Sequence, residues 1–107
     1  MRWYKHLYVG EKAEKRRFAI IQRIRKGQFQ PGVHVITPPS NPGNVLDIYP
    51  AAVLLTDYYK KKENLLILGI GADYFETLEV AGRIVSDLYR ATGAFSLKPF
   101  LEKNEQR

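Results

Sequence analysis

The run from Leu65 to Ile70, Leu-Leu-Ile-Leu-Gly-Ile, constrains the fold of this chain more than any other segment. A strand with one face in water alternates apolar and polar residues, whereas a strand covered on both faces is apolar throughout. This run is apolar at nearly every position and is far too short to span a bilayer. It predicts a central strand, and 107 residues suit a single domain, residues 1–107, built around it.

The segments before this strand predict an α/β domain. Trp3–Val9 is rich in aromatic and β-branched residues and predicts a first strand, and Val33–Thr37 predicts a second. Between them, Glu11–Lys26 has a helical period that gathers isoleucines on one side. Because strand–helix–strand units join parallel strands, we expect the first and second strands to pair in parallel.

A second helix follows the central strand directly. Asp73 is the expected N-cap, Glu76 completes a capping box on the outward side, and Gly93 ends the helix. The helical period predicts an inward stripe of Tyr74, Leu78, Ala81, Val85 and Leu88.

Two other segments allow less direct interpretation. Within residues 45–59, we favour a strand over Val53–Tyr59 that forms a hairpin with the central strand through the charged connector Lys60-Lys61-Lys62-Glu63-Asn64. The alternative is a short helix over Ala51–Leu55 that begins after Pro50. Phe95–Phe100 predicts a last edge strand that Pro99 limits.

The two halves of the chain repeat one order: strand, glycine, helix, then Gly-x-Phe. This repeat resembles a ferredoxin-like βαβ duplication, with the Pro-rich loop 38–44 inserted between the halves and a frayed polar tail at 102–107. The expected fold is an α/β (α+β) two-layer sandwich, a mixed sheet of four or five strands with two amphipathic helices. Both helices would then lie on one face, and the other face would be covered by a second copy in a homodimer or by residues 45–59.

The charge of the chain is unevenly distributed. The net charge is +6, but residues 1–26 hold nine Lys or Arg against two Glu, and residues 64–107 have a net charge of −1. Segregation of this kind favours an acidic partner. The cations that gather on one side of the first helix are Lys12, Lys15, Arg16, Arg23 and Lys26. They are candidates to bind nucleic acid or another polyanion, and the alternative is an ordinary solvated helix face.

A second anion or ligand site is a weaker candidate. Gly69 and Gly71 lie where the central strand meets a helix N-terminus, a place where backbone N–H groups bind anions, although a tight turn with a cap explains the same residues. Arg17 falls inside the apolar stripe of the first helix, where it needs an anion or must extend its guanidinium past the sheet.

The sequence offers little material for catalysis. The chain has no cysteine, and only His6 and His34, with Asp47 or Asp57, could form a metal or acid–base site. No cofactor motif is present, so we expect no cofactor. The absence of cysteine and of a visible signal peptide favours the cytoplasm, and no segment suggests a membrane.

Three functions remain open on this basis. A non-enzymatic cytosolic binding or interaction module that self-associates is the leading hypothesis. The second is a protein associated with RNA or DNA through the basic side of the first helix, and the third is a small enzyme with a His/Asp site.

Overall fold

The computed structural model describes residues 1–57 and 64–105. The described elements are four strands, four α-helices and one 3-10 helix. In chain order they are strand β1 (Arg2–Val9), helix α1 (Glu11–Glu14), helix α2 (Arg17–Arg25), strand β2 (His34–Thr37), strand β3 (Asp47–Pro50), a 3-10 helix (Ala51–Leu55), strand β4 (Leu66–Gly71), helix α3 (Tyr74–Thr92) and helix α4 (Leu97–Glu105).

The four described strands form one mixed sheet in the order β1-β4-β2-β3. Strand β4 lies inside the sheet, parallel to β1 and antiparallel to β2, and β2 is antiparallel to β3. Every residue of β4 is buried, which a strand with neighbours on both edges and cover on both faces requires. The α/β class, with a mixed four-stranded sheet and amphipathic helices, is therefore confirmed.

The expected parallel pairing of the first two strands is wrong. Since β1 is parallel to β4 and β2 is antiparallel to it, β1 and β2 run in opposite directions with β4 between them. The parallel partner of β1 comes instead from the second half of the chain, with Arg2 opposite Leu66 and Val9 opposite Ile70. The two βαβ halves of a ferredoxin-like duplication are not confirmed.

Helices cover both faces of the sheet. Leu66 and Leu68 belong to a core cluster with Val80 and Ile84 of α3, and Leu97 and Phe100 of α4 join it. Ile67 and Ile70 belong to a second cluster, with Ala13 of α1 and with Ile20 and Ile24 of α2. Alternate residues of a strand point to opposite faces, and Ile67 lies between Leu66 and Leu68, so the two clusters lie on opposite sides of β4. Ile36 and Val35 of β2 divide between the two clusters in the same way. The fold has three layers, and the expectation that both helices share one face is wrong.

This arrangement removes the reason to expect a homodimer. A second copy was expected to cover an apolar face of the sheet that the chain's own helices left exposed. Helices α1 and α2 supply that cover, with Ala51 and Leu54 of the 3-10 helix beside them.

The first helix is broken. A single helix over Glu11–Lys26 was expected, but α1 ends at Glu14 and α2 begins at Arg17, with Arg16 outside the helical region at φ −125° and ψ 24°. The break leaves the isoleucines of α2 on the sheet, where Ile20 and Ile24 are buried.

Helix α3 begins and ends as expected. Asp73 is the N-cap, its Oδ1 accepting a hydrogen bond from the Glu76 backbone N–H at 2.8 Å. Gly93 follows the last turn in the left-handed region at φ 72°, which favours glycine.

The inward side of α3 is only partly the one expected: Leu88 is buried and Ala81 packs against the core as predicted, but the start of the helix is turned. Tyr74 and Leu78 are exposed, by 47% and 42%. The buried residues are Glu76, Thr77, Val80, Ile84 and Leu88. Glu76 turns inward, where its carboxylate accepts hydrogen bonds from the backbone N–H groups of Ala13 and Ala72. Thr77, next to it, is also buried, and its hydroxyl donates to the Asp73 carbonyl oxygen within the first turn.

Two of the segments that were harder to interpret adopt helices. The 3-10 helix follows Pro50, so the alternative is confirmed and the strand over Val53–Tyr59 is wrong as far as residue 57. Residues 58–63, with the proposed hairpin connector, lie outside the described residues.

The predicted edge strand over Phe95–Phe100 is also wrong. This segment enters α4, and residues 102–105 of the expected tail continue that helix. Pro99 is tolerated because it lies in the first turn of α4, where the backbone N–H has no helical partner.

Candidate polyanion-binding surface

The segment from Lys15 to Lys26, which contains α2 and the break before it, carries a group of exposed cations, here called the basic surface. Its members are Lys15, Arg16, Arg23 and Lys26, which were all predicted to lie there, together with Arg25. In residues 1–57 and 64–105, no ion pair joins Lys15, Arg16, Arg23 or Lys26 to an acidic side chain. Helix α2 itself contains no Asp or Glu, so nothing in it neutralises these charges.

Lys12, the fifth predicted member, has a different position. Its Nζ lies 3.2 Å from Oδ2 of Asp73, and the two side chains are 71% and 41% exposed. The pKa of Asp73 is lowered, first by the backbone hydrogen bond from Glu76 and then by Lys12. Lys12 therefore links the start of α1 to the start of α3, and we exclude it from the basic surface.

Arg17 also has a partner. It lies at the first position of α2, its side chain is 40% exposed, and its Nη1 is 3.6 Å from Oε1 of Glu14. Of the two alternatives for Arg17, the structure favours a side chain that extends out of the apolar stripe, because it is partly exposed and its guanidinium lies beside Glu14. Glu14 supplies the counter-charge that a bound anion would otherwise supply.

Gly69 and Gly71 allow α3 to approach the sheet closely. A Cβ on Gly71 would lie 2.8 Å from the Thr77 backbone nitrogen and would overlap the Thr77 hydroxyl. A Cβ on Gly69 would lie 3.1 Å from the Tyr8 carbonyl oxygen. Close packing explains the presence of both glycines. This supports the interpretation of the loop as a tight turn followed by a helix cap.

The backbone N–H groups at this end of the sheet already bind an anion, the carboxylate of Glu76. This side chain is 7% exposed. Its Oε1 accepts hydrogen bonds from Ala13 at 3.0 Å and Ala72 at 2.9 Å, and its Oε2 accepts one from Lys12 at 2.6 Å. The starts of α1 and α3 thus share one internal carboxylate in the place where the sequence suggested an external anion.

The pKa of Glu76 reflects opposing effects. Burial raises it, but the three backbone hydrogen bonds outweigh burial, so the pKa falls below its usual value of 4.5. Glu76 is therefore ionised at neutral pH, and it is a structural anion rather than a proton donor.

The two histidines do not come together. Strand β4 separates His6 on β1 from His34 on β2. The centre of the His34 ring lies 5.4 Å from the centre of the Tyr74 ring, whereas the centre of the His6 ring lies 5.7 Å from that of the Tyr4 ring. No group of three or more metal-ligating side chains occurs in the parts of the chain that the structure describes.

Asp47, one of the two carboxylates considered with the histidines, is bound locally. It accepts hydrogen bonds from the Ser40 backbone at 2.8 Å and from the Tyr49 hydroxyl at 2.7 Å. The second carboxylate, Asp57, is exposed. The proposed His/Asp site is not assembled from these residues.

Exposed aromatic rings are the feature that the sequence-based predictions missed. Phe18 of α2 is 83% exposed, although the helix around it packs Ile20 and Ile24 on the sheet. Phe18, Gln22 and Arg25 are spaced by four and three residues, so they form one outward row. The guanidinium of Arg25 lies 5.8 Å from the Trp3 ring centre. The helical period places Phe18 opposite Ile20 and Ile24, so the signal was present in the sequence.

The outward side of helix α3 differs from the basic surface in how its charged side chains are bonded. Arg83 donates to the Val9 carbonyl oxygen at 2.8 Å, and Arg90 donates to the Ser86 hydroxyl at 3.1 Å. The Tyr8 hydroxyl donates to Asp87 at 2.6 Å, and burial, followed by this bond, raises the pKa of Tyr8. Outward polar groups of α3 are thus bound within the protein.

Comparison of the chain with protein-family models, curated proteins and solved structures finds no match. None of the helices in the described ranges combines the length and the apolar character that crossing a bilayer requires. Interpretation of function therefore depends on the basic surface itself.

Proposed function

We propose that the protein is a small non-enzymatic binding module that binds a polyanion, with nucleic acid as the principal candidate, on the basic surface. One observation supports this proposal above the others. Lys15, Arg16, Arg23 and Lys26 are exposed within one short segment and have no acidic partner in the described residues, whereas arginines of α3 bond internally.

The proposed binding is electrostatic in origin. A phosphate chain that contacts several cations releases its condensed counterions, and this release supplies most of the affinity of sequence-independent binding. Because these side chains form no ion pair or side-chain hydrogen bond within residues 1–57 and 64–105, no such contact there has to break when phosphates approach. Binding should therefore depend strongly on salt and weakly on sequence.

The experiment compares two triple variants that change the net charge equally. Lys15→Glu, Arg16→Glu and Arg23→Glu together reverse three charges of the basic surface. Arg2→Glu, Lys98→Glu and Lys103→Glu reverse three exposed cations elsewhere that have no ion pair in the described residues. Both variants have a net charge six units lower than the wild type.

Retention on immobilised heparin and binding of a labelled RNA, measured by fluorescence anisotropy, are the readouts. We expect the first variant to lose both and the second to keep most of each. Circular dichroism should show both variants folded. Equal weakening of the two variants would mean that net charge alone attracts polyanions, and wild type that elutes from heparin at low salt would refute the proposal.

A further inference from the structure

We propose that the polyanion is a single-stranded nucleic acid and that one of its bases stacks on the ring of Phe18. This inference rests on the proposed function and specifies its ligand. It starts from a ring that the fold leaves almost completely in water, at 83% exposure, in a helix without acidic residues.

The position of Phe18 in α2 is what distinguishes it. The helix packs on the sheet through Ile20 and Ile24, so Phe18 projects away from the core with Gln22 and Arg25 in the same row. Arg25 belongs to this row, and at ~100° per residue Lys26 follows about 80° around the helix from Phe18, whereas Arg23 lies about 140° away. An exposed aromatic ring beside cations is the combination that proteins use for single strands, since the cations hold phosphates and the ring stacks on a base.

A single strand fits this surface better than a duplex does. Bases in a duplex are stacked on each other, so a protruding ring reaches one only by separating two base pairs, which costs unstacking free energy at each step, whereas the bases of a single strand are open to it. A bare polyanion such as heparin has no base at all and can use only the cations. Stacking on Phe18 should therefore separate single-stranded nucleic acid from both other ligands.

A membrane surface is less consistent with the same residues. A helix that lies in the membrane interface buries a broad apolar face in the lipid. In α2 that face, Ile20 and Ile24, is already buried against the sheet. Phe18 would be the only large apolar side chain of α2 left to enter lipid, because Ile21 is also partly buried.

The chain offers a matched control for the experiment. Phe75, at the start of α3, is 78% exposed, but it adjoins the acidic residues Asp73 and Glu76 rather than a group of cations. Phe18→Ala and Phe75→Ala remove rings of similar exposure. Phe18→Trp keeps an aromatic ring at position 18.

The binding of a labelled single-stranded oligouridine is measured for each variant, together with a duplex of equal length and elution from heparin. Phe18→Ala should weaken oligouridine binding about tenfold, the lower to middle range for one stacked base, and leave duplex binding and heparin elution unchanged. Phe75→Ala should change none of them, and Phe18→Trp should restore oligouridine binding.

Several outcomes would overturn the inference and leave the proposed function intact. One is Phe18→Ala weakening heparin and oligouridine binding by the same factor, and another is no change in either. A third is strong binding to vesicles of phosphatidylcholine with phosphatidylserine that disappears in Phe18→Ala while oligouridine binding persists. If the wild-type protein binds neither heparin nor oligouridine, both this inference and the proposed function are refuted.

Discussion

The two helical layers of this molecule use their charged residues in opposite ways. On one face, Asp73 caps α3, and the carboxylate of Glu76 accepts three backbone hydrogen bonds. On the other face, neither Gly10 before α1 nor Arg16 before α2 provides a side-chain cap. The cations of the basic surface likewise bond to no acidic side chain in the described residues.

The comparison shows which charges stabilise the fold. Those around the start of α3 hold helices and strands together, so changing them should unfold the protein. Those of the basic surface form no ion pair within the described residues, so they add repulsion to the native state without an opposing attraction. A surface of this kind is available for a ligand.

The largest effect should come from Glu76. Glu76→Ala leaves the N–H groups of Lys12, Ala13 and Ala72 without their acceptor at a largely buried position. We expect the free energy of unfolding to fall by about 3 kcal/mol or more, measured by urea denaturation. Glu79→Ala, an exposed site in the same helix, should change it by less than about 0.5 kcal/mol. A loss at position 76 no greater than at position 79 would contradict the account.

Glu76 should also make stability depend on pH. Its pKa is lower in the folded state than the usual value of 4.5, so the folded protein binds fewer protons than the unfolded chain. The stabilisation is fully present above pH 4.5 and is lost as pH falls through the lowered pKa. Glu76→Gln should be destabilised at neutral pH and should lose less stability than wild type between about pH 5 and pH 3. Parallel curves for the two proteins would rule out this role.

A smaller effect is expected at the cap of α3. Asp73→Ala removes the acceptor for the Glu76 N–H and the partner of Lys12. Its melting temperature should fall by about 4–8 °C, and Asp73→Asn or Asp73→Ser should recover most of the loss. An alanine variant that melts with wild type would show that the cap does not contribute to stability.

The smallest effect should come from the basic surface. Lys15→Gln, Arg16→Gln and Arg23→Gln should each change the free energy of unfolding by less than about 0.5 kcal/mol, because no internal bond is lost. Combined, they should not destabilise the protein and should reduce repulsion between like charges. A clear loss of stability in the combined variant would mean that these cations have internal partners and would weaken the contrast between the two layers.

Much of the fold could be predicted because its signals are local. The apolar run of β4, the N-cap Asp73 and the terminal Gly93 each depend on a few adjacent residues. The pairing of β1 with β4 could not be predicted in this way, since it joins residues far apart in the chain, such as Arg2 and Leu66. Neighbours in sequence pair more often than not, and that general preference gave the wrong partner.

The wrong predictions about the helices have a related cause. Either side of α3 offers apolar residues, and the side that faces the sheet is decided by the bonds of Glu76 to α1 and to Ala72. The break before Arg17 occurs without proline or glycine, so no residue in the sequence marks it. Of the predicted cations, all five are exposed, but the pairing of Lys12 with Asp73, far along the chain, was visible only in three dimensions.

The salt dependence of binding tests the central claim most directly. The affinity for a labelled single-stranded oligonucleotide is measured between about 50 and 200 mM salt, for wild type and for the combined Lys15→Gln, Arg16→Gln and Arg23→Gln variant. Each phosphate contact contributes about −0.7 to the slope of log affinity against log salt. We predict that the variant is folded and that its slope is shallower than that of wild type by about 2. Identical slopes for the two proteins, or wild-type affinity that salt does not change, would contradict the account.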